Sequence, residues 1–366
     1  MKYEQLRKKV QDREKFLTCV KIDRSPLINP GFPGTFNLSF TEDPWLKEYG
    51  RFTDFDHNYV FSTIQSCIRP NDIPEISTHN SWKYLGAFEL GDLTGIINLR
   101  SKPDYSDLQR RQIKNLINFL GGIGIPKNKV HPSYSLGGQV RDLTGGKYTF
   151  DFNVPEDTIS KQAFLEAGIP EENLIGEQTR DTLLSLHVHR PTPLGYRNEV
   201  SININSKLED PKLLDVATIE YLMWKPIFNG DEKSSKNIVG LQESTDGVSI
   251  CAVGLERTCM AVNHLPKVQD IDYIKPFYQA LSENEIIGES IRALHRIYSD
   301  INSYGCKPSR HQKAKISRIL QNIPHNVDKT RLRDLLVIHS ETQPWHSNLK
   351  EGIEPTIERI EQRRSR

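Results

Sequence analysis

The chain has 366 residues, 36% of them hydrophobic and 26% charged, with a formal net charge of +1. That is enough apolar material for two domains, or one large domain with a smaller one, and the near-neutral balance excludes a globally basic nucleic-acid binder, leaving only local patches. Five dispersed cysteines with no CxxC pair exclude a disulfide framework and a zinc ribbon; no apolar run is long enough to span a bilayer, and the charged start MKYEQLRKKVQDREKF reads as a helix rather than a signal peptide, so the cytoplasm is the default compartment.

Residues 1–19 read as a polar helix, broken by the Gly/Pro-rich turn Asn29–Phe36. Phe36, Leu38 and Phe40 then alternate with polar residues, and Tyr59–Cys67 is a second strand. It feeds a hairpin over Thr63–Asp92: Arg69 closes the first strand, Trp82 and Tyr84 fall on the second, and Gly91-Asp92 ends it. Leu108, Ile113, Leu116, Ile117 and Leu120 recur at helical spacing, with Ser106 placed to cap and Gly121-Gly122 to stop. Strand periodicity returns at Tyr148, Phe150 and Phe152, followed by a short helix over Thr158–Ala167 and the turn Gly168-Ile169-Pro170.

Asn198–Asn205 alternates most cleanly, with Val200, Ile202 and Ile204 on one face. Residues 213–228, bearing Glu220, fit a helix or a strand; Val248–Ala252 is a further strand running into Gly254-Leu255-Glu256-Arg257 and a helix over Arg257–His264. Beyond residue 270 the pattern turns helical: Ile287, Ile291, Leu294, Tyr298 and Ile301 form one stripe, and Lys307–Ile323 repeats it with a basic face. The expected fold class is α+β, a mostly antiparallel sheet flanked by helices over residues 1–268, followed by a helical domain over 269–366. There is no GxGxxG and no GxxxxGK[ST], so a bound nucleotide would be held without either fingerprint.

Several residues carry possible chemistry. Arg69, leaving a strand for a polar loop, is a fork suited to phosphate, or a surface arginine in an ordinary ion pair. Trp82 is either a stacking face for a base or a core residue. Gly254 permits close backbone approach, and Arg257 adds a cation at a helix start. His187 and His189 alternate on one strand face without a visible third metal ligand. Cys251 and Cys259 read as small buried hydrophobes. Arg310, His311, Lys313, Lys315 and Arg318, with Arg331 and Arg333 beyond, form either a solvated face or a phosphate-backbone contact surface.

Taken in order, five segments resemble the catalytic region of alanyl-tRNA synthetase, a class II aminoacyl-tRNA synthetase. They are Thr63-Ile-Gln-Ser-Cys67-Ile-Arg69, Asn71-Asp72, His79–Asp92 (HNSWKYLGAFELGD, against the family's HTFFEMLGNFSFGD), Ala167–Ile175, and Ala252-Val-Gly-Leu-Glu-Arg257. The likeness continues more weakly over Ser290–Ile319. It implies a class II synthetase-like fold that binds ATP and Mg²⁺ and attacks the α-phosphate with an amino-acid carboxylate, giving an acyl-adenylate. By the same likeness Arg69 and Arg257 would be the catalytic arginines, and Asn71, Asp72, His79 and Trp82 would complete the nucleotide site. Glu220, and secondarily Glu256, would hold the metal. Leu186, His187, Arg197, Glu199 and Ile250 fall where the amino-acid pocket is expected.

The chain also departs from that family. The loop lysine between its arginine and its Asn-Asp is gone, the loop having shrunk to Pro70. Lys83 replaces a glutamate, Ile250 replaces the acid that holds the substrate's amino group, and Thr192–Arg197 replaces a Cys-containing turn. No counterpart of the family's editing domain is expected to follow. The expectation is a specialised paralogue that activates an amino acid or related carboxylic acid and passes it to a tRNA through Arg310, Lys313, Lys315 and Arg318. The alternatives are a biosynthetic ligase with a small amine, carrier protein or peptide as acceptor, and a non-catalytic tRNA- or partner-binding paralogue. No membrane contact is expected, and a homodimer is a compatible assembly.

Overall fold

The structure is a computed structural model, which describes residues 1–13, 19–29, 34–36, 59–79, 81–98, 105–139, 149–150, 153–178, 182–185, 194–205, 212–230, 237–281, 284–324 and 327–364. Helix α1 (Tyr3–Asp12) and strand β1 (Val20–Lys21) precede the long strands β2 (Tyr59–Ile68) and β3 (Ala87–Asn98). Helix α2 (Tyr105–Gly122), β4 (Val130–Ser135), β5 (Gly138–Gln139), β6 (Thr149–Phe150), β7 (Asn153–Val154), α3 (Thr158–Glu166), β8 (Ile175–Glu177) and β9 (Leu183–Ser185) follow. Then come β10 (Leu194–Asn203), β11 (Leu213–Phe228), β12 (Asn237–Gly254) and α4 (Leu255–Val262). Helices α5 (Lys275–Ala280), α6 (Glu285–Tyr304), α7 (Arg310–Gln321), α8 (Lys329–Glu341) and α9 (Ile353–Arg364) complete the described chain.

The main sheet runs in the order β1-β2-β3-β12-β11-β10-β4-β8, with β6 on β12 and β9 on β10. The pairs β2–β3, β3–β12, β12–β11, β11–β10 and β10–β4 are all antiparallel, and only short edge contacts are parallel. This is the α+β architecture that the mixed strand and helix periodicities predict. Because strand side chains alternate, β12 serves two faces. Cys251 and Val253 enter the core shared with α1, α2 and α4, whereas Val248 and Ile250 join Phe61, Ile96 and Leu222 on the opposite side. The face carrying Ile250 continues through Ala252 and Gly254 to the functional cleft.

The C-terminal helices form a second core that reaches back to the hairpin: Ile68, Ile73 and Ala87 pack with Ile291, Leu294 and Leu335. Helix α6 starts on Asn284, whose side chain accepts from the Ile287 N–H, and stops at Gly305 with φ 62°. Its Glu289 Oε2 accepts the N–H groups of Gly86 and Ala87 at 2.7 and 3.1 Å. Glu289 is itself paired with the fully buried Arg292. The start of β3 is therefore fixed from behind by a buried ion pair.

Several boundaries differ from expectation. Trp82 and Tyr84 do not lie on the second hairpin strand: Ser81–Lys83 is a 3-10 turn, and the strand begins at Ala87. Gly91 and Asp92 sit inside β3, not at its end, because Gly91 packs directly on helix α1; a Cβ there would lie 2.3 Å from Val10 Cγ1. Helix α2 runs through Gly121 and Gly122, and the 213–228 segment is a strand. Phe36 makes one bridge to Ile68; Leu38, Phe40 and Tyr148 lie outside the described residues.

Candidate active site

The hairpin connection is held by local hydrogen bonds. Arg69 N–H donates to Gly86 O at 2.9 Å, and Asp72 N–H to Arg69 O at 3.0 Å. Gln269, distant in sequence but adjacent in space, donates its amide to Ser81 O and Tyr84 O, 188 and 185 residues earlier, at 3.5 and 3.4 Å. A cleft of about 600 Å³ lies between this connection and the sheet. On the hairpin side it is lined by Arg69, Asp72, Lys83, Tyr84 and Phe88; Arg257 faces it from the start of α4. Leu90, Thr218, Ala252 and Gly254 line its sheet face, and His131, Ser133, Arg197, Glu199 and Ser201 line the β10–β4 side.

Two arginines brought together from residues 69 and 257 are the main outcome. Arg257 is fixed: its Nε donates to Lys83 O at 3.1 Å, its Nη1 to Asp215 O at 3.4 Å, and Asp215 Oδ2 is 3.9 Å away. Arg69 is exposed, with its guanidinium 5.2 Å from the Phe88 ring centroid. Among the described residues neither a hydrogen bond nor an ion pair engages the Arg69 side chain. Asp72 lies near both: burial pushes its carboxyl up, and the charges of Arg69 and Arg257 partly offset this. Gly254 caps α4, and the nearest atom to a Cβ there would be Val216 O at 3.6 Å, so the side chain's absence leaves room on the cleft side.

The β10–β4 side is acidic. Glu199 is paired with Arg197 and accepts from Thr218 Oγ1 at 2.8 Å. Register places Glu220 opposite both Arg197 and Ile250. Glu220 is half-buried, and among the described residues its carboxyl has no hydrogen bond or ion pair. Burial pushes it up to about 7, with Arg197 pulling down and Glu199 pushing up. Nearby Asp92, 3% exposed, is raised well above the usual carboxylate range by burial, and Glu220 adds to the effect.

The other expected residues fall in different places. Asn71 and His79 are exposed and do not line the cleft. Trp82 packs against the main core, with Lys212 Nζ 3.9 Å and Lys83 Nζ 5.8 Å from its ring centroid. Ile250 is fully buried in an apolar cluster. Glu256 does line the cleft, but it is almost fully buried, and its carboxylate accepts from Tyr3 OH (2.9 Å), Tyr273 OH (2.6 Å) and Glu89 N–H (3.0 Å). No group of three or more His, Cys, Asp or Glu able to hold a metal occurs among the described residues. Leu186, His187 and His189 lie outside the described residues. Sequence context does not mark Lys83, Tyr84 and Phe88 as cleft residues. The signal available was strand alternation: Phe88 and Leu90 share a face of β3 with Asp92.

No family model matches the sequence, and no curated protein matches it. Solved structures similar to it include apo histidyl-tRNA synthetase of S. aureus, at 8% identity and a TM-score of 0.40, covering 74% of this chain and 68% of that one. Pyrrolysyl-tRNA synthetase from Desulfitobacterium hafniense is similar at 14% identity and a TM-score of 0.35, covering 74% and 72% of the two chains.

Proposed function

We propose that the cleft binds ATP and an amino acid or related carboxylic acid and forms an acyl-adenylate, with a tRNA as the acceptor of the acyl group. The observation that carries this reading is the convergence of Arg69 and Arg257 on one cleft lined by the Phe88 and Tyr84 rings. Guanidinium forks suit phosphate oxygens, and aromatic faces suit a nucleobase. Adenylate formation asks the protein mainly to position the carboxylate and to stabilise charge on the α-phosphate. Arg69, whose side chain makes no hydrogen bond or ion pair among the described residues and has Asp72 as its acidic neighbour, would grip that phosphate; Arg257, held by Lys83 O and Asp215, would present a fixed cation beside it.

Mg²⁺ fits such a site in the way it commonly binds, through one or two carboxylates and substrate phosphates. Of the two expected ligands Glu220 has the free carboxyl, while that of Glu256 is taken up by two tyrosines and a backbone N–H. When bound, the ion would neutralise charge on the phosphates. The test is exchange of pyrophosphate into ATP across a panel of amino acids and other carboxylic acids. Exchange with at least one of them, falling by about 100-fold or more in Arg69→Ala and in Arg257→Ala, is expected from the loss of one charge-stabilising group. Absence of exchange with every acid, in folded protein with Mg²⁺, overturns the proposal.

A further inference from the structure

We infer that Lys83 is a third phosphate-binding cation of the cleft, contacting the ATP phosphates through its ammonium group. This inference rests on the nucleotide reading above. Lys83 lines the cleft alongside Arg69 and Arg257. Its backbone is held on two sides: its carbonyl accepts from Arg257 Nε at 3.1 Å, and the flanking carbonyls of Ser81 and Tyr84 accept from Gln269. The side chain therefore starts from a fixed turn rather than from a free loop.

Its partners are the decisive point. Some lysines of the chain meet carboxylates, as Lys267 does Glu285, Lys161 does Glu156 and Lys329 does Glu361, and others meet backbone carbonyls, as Lys127 does Ala167 O and Lys315 does Gly34 O. Among the described residues Lys83 Nζ has no hydrogen bond and no ion pair. It lies 5.8 Å from the Trp82 centroid and 5.7 Å from that of Tyr84. Ring faces attract an ammonium without neutralising its charge. Arg69 is in the same state over Phe88. The other two cleft cations are already engaged, Arg197 by Glu199 and Arg257 by Asp215. The cleft is lined by Asp72, Glu177 and Glu256 as well, so Lys83 supplies a local positive charge on the hairpin side beside Arg69 rather than a surplus over the whole cleft. A triphosphate carries more negative charge than one arginine offsets, and a lysine supplies a compact point charge where no planar fork is needed.

The experiment compares binding of MgATP, inorganic tripolyphosphate and AMP to the wild-type chain and to Lys83→Met, by titration calorimetry. Lys83→Met keeps the main-chain carbonyl that holds Arg257, so it reads the ammonium alone. Loss of at least tenfold in affinity for MgATP and tripolyphosphate, little change for AMP, and recovery in Lys83→Arg are the expected results. Lys83→Gln repeats the comparison if Lys83→Met does not fold. Equal MgATP binding by wild type and variant overturns the role of Lys83 and leaves the nucleotide reading standing. No binding of MgATP by the wild type overturns both.

Discussion

At the scale of single residues, the cleft mixes both signs of charge: Arg69, Lys83 and Asp72 line its hairpin side, and Arg197 and Glu199 its far side. Glu220 of β11 lies opposite Arg197 in the sheet, next to the lining residues rather than among them. An acid raised to about 7 by burial is neutral in mildly acid solution and ionised in mildly alkaline solution. A metal ligand must be deprotonated, so Mg²⁺-dependent pyrophosphate exchange should climb as pH rises through about 7. In Glu220→Gln that limb should vanish, with exchange reduced at least tenfold at pH 8. Stability moves the other way. The folded chain favours the protonated acid, so this group's favourable contribution is complete below its ordinary pKa and is lost as pH rises through about 7. Glu220→Gln should thus unfold at a higher denaturant concentration than wild type at pH 8.5 and at nearly the same one at pH 4. A variant that loses stability at pH 8.5 would show that the carboxylate is structural.

Between elements, a buried bidentate charge contact joins α1 to β3. Arg7 donates Nε and Nη2 to the fully buried Glu89 at 2.8 and 3.0 Å, and His346 Nε2 lies 3.1 Å from the same carboxylate. Burial pushes Glu89 up, but Arg7 and His346 together hold it well below the usual carboxylate range. A depressed carboxylate contributes stability above its unfolded pKa of about 4.5 and loses it as pH falls further. Arg7→Met should therefore cost about 3–5 kcal/mol at pH 7 by urea unfolding, the usual consequence of stranding one member of a buried pair. The difference from wild type should narrow below pH 4; a cost that stays constant with pH would assign it to lost packing instead. None of this network was legible from sequence, since Arg7, Glu89, Glu256 and His346 are distant in the chain and follow no spacing rule. What was legible was periodic. The α2 stripe, the α6 stripe and the β10 alternation each bury one face, so their patterns survive in the sequence. Arg69 and Arg257 were legible as strand-end and helix-start cations. The site's other members take their place from features a single sequence does not reveal, Phe88 and Thr218 from strand register and Lys83 from the 3-10 turn that precedes the strand.

Across the whole molecule, the C-terminal helices and the cleft share a mechanical connection. Gln312 of α7 donates to Thr35 O at 2.7 Å, and Lys315 Nζ to Gly34 O at 2.6 Å. Residue Phe36 then bridges Ile68, the residue before Arg69. Helix α7 is thus anchored on one side to the segment that backs the hairpin, while Arg310, Lys313 and Arg318 are exposed. Lys315 is half-buried with its ammonium on the Gly34 carbonyl, which leaves Arg310, Lys313 and Arg318 as the exposed members of the expected tRNA contact set. The three exposed cations are the ones that a phosphate backbone would meet, and each phosphate neutralised adds to the salt dependence of binding. Reversing all three to glutamate should leave the unfolding midpoint nearly unchanged, as exposed substitutions do, and should leave pyrophosphate exchange intact. Binding of tRNA, measured by filter retention at several salt concentrations, should weaken at least tenfold, with a log–log salt slope shallower by about two to three. If binding and its slope are unchanged, α7 is a solvated face and the acceptor reaches the cleft by another surface. If exchange is lost together with tRNA binding while the fold is intact, the Gln312–Thr35–Phe36–Ile68 connection transmits the state of α7 to Arg69, and the helical region takes part in building the nucleotide site.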